Sequence, residues 1–176
     1  MDKLMFIPRA IKKLNKWISE VVKIALVVNL SVMVIIVFYS VVSRSILNSS
    51  IAWAEELSRI LFVWLVFTGA VLGLYYIEHL GLHILLDRLK PKMRNMSENL
   101  SWVLVIVVAV AMIIGAYNLI DVVKDARTPA LGISSAVKYL PVLIAPCLMV
   151  LISIEHLLDS IINLIQMHST KKGVEE

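Results

Sequence analysis

Very few side chains in this sequence can do chemistry. The densest group is Glu55, Glu56 and Arg59, in the stretch Ile51-Ala-Trp53-Ala-Glu55-Glu56-Leu-Ser-Arg59. On a helix Arg59 lies one turn from both acids and can meet either of them. The two glutamates are neighbours, so they point about 100° apart and cannot clasp one proton as an acid dyad. Two readings of the cluster follow. One is a helix N-terminus whose acids favour the dipole while Arg59 reaches outward. The other is a polar contact with another membrane subunit. Gly69 and Gly73 follow on the same segment in a Gly-x-x-x-Gly pattern, which permits close helix approach.

The histidines offer a second chemistry. His79 and His83 are four apart and share a helix face, and His156 falls at the same predicted level. Such a set can hold a metal or a haem, although histidines at a membrane interface are more commonly without a ligand. His168 lies in the tail. The single cysteine, Cys147, excludes an intrachain disulfide and a Cys-rich metal site, and its apolar neighbours mark an inert thiol. There is no nucleophile, base and orienter set, and no Gly-rich loop to cradle phosphate. The expectation is a non-enzyme with no cofactor and no metal.

What must position these residues is a set of membrane spans. Of the 176 residues, 60% are apolar and only 17% charged, and mean hydropathy is +0.88. Soluble domains are nearer half apolar and a quarter charged. The net charge of +4 does not point to nucleic acid, because the basic residues flank apolar runs, as membrane topology requires.

Four runs are long enough to span. Residues 24–43 carry no charge between Lys23 and Arg44. The second span covers residues 53–76, the third 99–120, and the fourth 139–165, with Pro141 and Pro146 inside it. At about 1.5 Å per residue each crosses a bilayer core of about 30 Å. Residues 1–20 are basic and amphipathic and read as an interfacial helix beginning near Pro8, with Trp17 as headgroup anchor. Residues 77–98 read as an amphipathic cytoplasmic connector, with a helical stripe of Leu82, Leu85, Leu86 and Leu89 that Pro91 ends, and 121–138 as an external loop. Within that loop Thr128-Pro-Ala-Leu-Gly132 has the residues of a turn. Ser50 is a candidate cap for the second span, Pro146 is expected to kink the fourth, and the tail is 166–176.

With both termini in the cytoplasm, twelve of the 17 Lys and Arg fall inside. Arg44, Arg59, Lys124, Arg127 and Lys138 fall outside. That bias fixes the expected orientation. The central thirds of the first three spans, and of the uncharged part 139–154 of the fourth, carry no Asp, Glu, Lys, Arg or His, so the chain by itself offers a charged solute no resting place. The expected class is an all-α integral membrane protein that serves a companion. A haem-binding anchor and a small self-assembling channel or exporter are the alternatives.

The residues also resemble a known family. Trp53-Ala-Glu55-Glu56-Leu-Ser-Arg59, followed by Phe62-Val-Trp64-Leu-Val-Phe67 and Gly69-Ala70, is similar to the second-helix signature of the small membrane subunit of tripartite ATP-independent periplasmic (TRAP) transporters. The likeness continues at His83-Ile84 with Asp87, and at Pro129-Ala-Leu-Gly132-Ile133 before Tyr139 and Pro141. Where the family often has proline and an aromatic residue after the Gly-Ile pair, this chain has Ser134-Ser-Ala-Val137.

The resemblance implies a scaffold subunit in the bacterial inner membrane. Its partners would be a large multi-span subunit, which carries the substrate and sodium sites, and a periplasmic binding protein that delivers an organic acid such as sialic acid or a C4-dicarboxylate. Membrane lipid would surround the chain. On this reading Glu55, Glu56, Arg59, Gly69 and Gly73 contact the large subunit near the outer face. His83 and Asp87 form an inner-face contact or turn, and Arg127 and Lys138 meet the binding protein.

Overall fold

Runs of Val, Ile, Leu and Ala leave backbone polar groups no partner in lipid except one another, and a helix satisfies all of them within one segment. The computed structural model describes residues 2–46, 51–80 and 91–172. Four helices occupy almost all of this: α1 Asp2–Ile46, α2 Ala52–Leu80, α3 Pro91–Val123 and α4 Leu140–Lys172. A short 3-10 turn, Ser135–Lys138, leads into α4. Each helix contributes to one apolar stretch long enough to cross a bilayer: Lys13–Ile46, Ala52–Tyr76, Asn99–Val123, and Ser135–Leu158, which begins in the 3-10 turn.

The helices form an open row. α4 packs most extensively on α3 and α1 on α2; α4 also leans on α2 and, less, on α1. Among the described residues α1 and α3 share no comparable interface. The centre of the row is therefore α4, with 28% of its span buried against 6% for that of α1 and 11% for those of α2 and α3. Val71 of α2, Trp102 of α3, and Ala145 and Ile152 of α4 form the core where these three helices meet. Trp102, Ala109 and Ala116 are all buried on α3 at seven-residue spacing. That period keeps one stripe facing a neighbour, and the small alanines let backbones approach.

The amphipathic start does not form a separate surface helix. α1 runs unbroken from Asp2 through the first span, and its Asn15, Ser19 and Val22 are buried. The Asn15 amide donates to a carboxylate oxygen of Glu155 on α4 and lies 3.5 Å from the Leu151 carbonyl. Burying an amide against that carboxylate holds this part of α1 to the bundle.

The connector also differs from expectation. Residues 77–80 complete α2, and Pro91 opens α3, where a missing N–H costs nothing in a first helical turn. The leucine stripe between them, with His83 and Asp87, lies outside the described residues, as does Ser50. α2 instead closes its first turn on the Ile51 carbonyl, which accepts from Ala54 N–H at 3.1 Å. Pro146 is buried inside α4, and the helix continues through it.

Candidate functional site

The polar residues of α2 meet the loop before α4 at one end of the row. This loop is shaped by its own sequence. Thr128 N–H donates to Ile133 O at 2.8 Å, Gly132 N–H to Thr128 O at 3.0 Å, and Ser135 N–H to Ala126 O at 2.8 Å. Arg127 and Ser134 form an antiparallel bridge. Gly132 closes the turn at φ 68°, a conformation that side-chain-bearing residues rarely adopt. Such a tight turn leaves the N–H groups of Ala130 and Leu131 without a partner inside the loop.

Glu56 supplies that partner. Its Oε2 accepts from Ala130 N–H at 2.7 Å and from Leu131 N–H at 3.2 Å. The side chain is thus committed within the chain, and neither glutamate forms an ion pair with Arg59. The physical reason is that two convergent backbone donors in a fixed turn offer the carboxylate a charge-assisted site, whereas an exposed guanidinium offers little. The Thr128 side chain adds a hydrogen-bonding group to Glu56 beside this contact. A second tie comes from Trp64, whose indole N–H donates to Val137 O at 3.2 Å.

The remaining polar groups stay at the surface. Glu55 and Arg59 are exposed. Arg127 donates to the Gly132 carbonyl at 3.0 Å, so it braces the turn while remaining exposed. Lys138 places its ammonium 5.5 Å from the centre of the Tyr139 ring. Between α2 and the loop lies a cavity of about 430 Å3, lined by Glu55, Glu56, Arg59, Ile60, Pro129 and Lys138 among others.

The two glycines of α2 part company. A side chain added at Gly69 would meet Leu26 of α1 at an ordinary 3.6 Å, so Gly69 lies toward a helix of the same chain. At Gly73 nothing lies within 4 Å, and the residue is exposed. Its neighbours on that face, Phe62 and Val66, are exposed as well.

At the opposite end His156 stacks on Trp102, with ring centres 4.2 Å apart and planes 13° from parallel. His79 belongs to the last turn of α2. Among the described residues no three His, Cys, Asp or Glu side chains gather to hold a metal.

Sequence reasoning missed the Glu56–loop contact and the Asn15–Glu155 contact. The first had a signal: a turn centred on Pro129-Ala130-Leu131 must find acceptors for its free amides. The second had none, because its partners lie 140 residues apart.

Four apolar helices with a pinned loop at one end define a small helical membrane protein. Residues 33–163 match the family described as "Tripartite ATP-independent periplasmic transporters, DctQ component", and the chain belongs to that family. It is a multi-pass protein of the inner membrane. A Haemophilus influenzae chain assigned as a TRAP transporter small permease protein is 29% identical over 150 residues, which is 85% of this chain and 93% of the relative. The Vibrio cholerae sialic acid TRAP transporter small permease protein SiaQ is 28% identical, covering 72% of this chain and 73% of its own. The C4-dicarboxylate TRAP transporter small permease protein DctQ of the same organism is 26% identical over 49% of this chain and 37% of its own.

Proposed function

We propose that this chain is the non-catalytic scaffold subunit of a sodium-driven TRAP transporter importing an organic acid of the sialic acid or C4-dicarboxylate class. Its termini face the cytoplasm and the Thr128–Gly132 loop faces the periplasm. A large membrane subunit supplies the substrate and sodium sites and packs along the exposed apolar flanks of the row. A periplasmic binding protein approaches from the side of the loop, where Arg127 and Lys138 are in reach.

One observation carries the scaffold reading: polar side chains within the spans are spent on the chain itself. Asn29 donates to Leu61 O at 3.1 Å, Ser31 to Val27 O at 2.8 Å, and Thr68 to Trp64 O at 2.6 Å. Asn29 keeps one buried amide oxygen without a partner, but a lone neutral acceptor makes no pathway for an anion. The positive-inside bias supports the orientation. The test is affinity purification of the tagged chain co-expressed with a TRAP large membrane subunit from the same organism. The expected result is a stable complex that survives detergent exchange; recovery of the chain by itself under those conditions would contradict the proposal.

A further inference from the structure

The cavity between α2 and the loop has chemistry that the contacts within the chain leave unused. Glu56 is committed to Ala130 and Leu131, but Glu55, Arg59 and Lys138 line the same space with no ion pair among the described residues. Ile60 and Pro129 supply apolar wall. Counting Glu56, the two acids and two bases cancel formally while remaining separate. A site of that kind suits a ligand that is itself neutral overall and carries both signs.

Depth indicates where such a ligand comes from. The cavity lies at the start of the second apolar stretch, which begins at Ala52, and of the fourth, which begins at Ser135. Trp53 is exposed beside it, with its ring 6.2 Å from that of Tyr39; aromatic pairs of this kind mark the headgroup layer. We infer that the cavity binds the headgroup of a phosphatidylethanolamine, with Arg59 and Lys138 on the phosphate and Glu55 on the primary ammonium. The acyl chains stay in the bilayer. This rests on the membrane placement of the chain and not on its transport partners.

The chemistry separates this lipid from its neighbours. Phosphatidylcholine carries a quaternary ammonium with no N–H to give Glu55, and phosphatidylglycerol carries no cation at all. The test is native mass spectrometry of the full chain in detergent, titrated with the three lipids at matched acyl length. Phosphatidylethanolamine is expected to bind about tenfold more tightly than either, the worth of one hydrogen bond to a charged group. Glu55→Gln should abolish the preference over phosphatidylcholine. Arg59→Gln should weaken all phosphate-bearing lipids, and Arg59→Lys should restore part of the loss. Unchanged helicity and melting of each variant exclude misfolding as the cause.

Equal binding of the three lipids, or a preference that persists in Glu55→Gln, would overturn the assignment. Displacement by soluble glycerophosphoethanolamine at equal concentration would also overturn it, in favour of a free ligand. A cavity that takes up no lipid and becomes protected only when the large subunit joins would assign these charges to that partner instead.

Discussion

Glu56 Oε2 stands 2.7 Å from the backbone N–H of Ala130, 74 residues further along the chain. One carboxylate at the start of α2 thereby ties the loop before α4 to that helix. Its removal should leave the amides of Ala130 and Leu131 without acceptors while the spans remain intact. In Glu56→Ala, hydrogen exchange of those two amides should rise by about tenfold for each lost bond. Exchange within α3 and α4 should not change. Equal protection in the variant and the parent would show that the loop holds itself.

Gly132 and Gly73 give a contrast between strain and surface. Gly132 sits at φ 68°, so Gly132→Ala should destabilise the loop by about 1–2 kcal/mol, and Gly132→Asn by less. Gly73→Ala has nothing within 4 Å to meet and should leave melting of the isolated chain unchanged. If Gly73 lies against the large subunit, Gly73→Leu should lower the yield of the complex without altering the chain itself. Thermal melting and co-purification, run on the same variants, read the two effects apart.

The alanine stripe of α3 predicts sensitivity to bulk. Ala109 and Ala116 are buried, and Ala109→Leu or Ala116→Leu should cost about 1–3 kcal/mol by forcing α3 from its neighbour. Val108, one residue away and exposed, should accept leucine at no cost. A chain that melts alike in all three variants would contradict the packing described here.

Asn15 and Glu155 join α1 to α4 with both residues buried, 2% and 6% exposed. Asn15→Leu leaves the Glu155 carboxylate without that donor, and a loss of about 1–3 kcal/mol is expected. The double variant Asn15→Leu with Glu155→Leu should recover much of it, because two apolar groups leave nothing unsatisfied. Melting curves of the single and double variants check this directly.

Four apolar helices were legible because long uncharged runs stand out between charges, as between Lys23 and Arg44, although the first apolar stretch extends from Lys13 to Ile46. The turn at Thr128–Gly132 was legible from Pro129 and Gly132, whose backbone preferences act locally. The continuity of α1 was not. A basic amphipathic run reads alike whether it lies flat on a membrane or extends a span, and only the distant Glu155 decides. The partner of Glu56 was not legible for a related reason: helical spacing places Arg59 near two acids, but spacing carries no information about the loop amides that compete for Glu56. His83 and Asp87, which carried part of the family likeness, lie outside the described residues.

The measurement closest to the central claim is uptake of labelled sialic acid and of a labelled C4-dicarboxylate into proteoliposomes under an inward sodium gradient. It compares this chain alone, the large subunit alone, and both together with the binding protein. The account predicts no flux from this chain alone, and uptake of one of the two acids when all components are present. Sodium-driven or passive flux of either acid through this chain alone would contradict it.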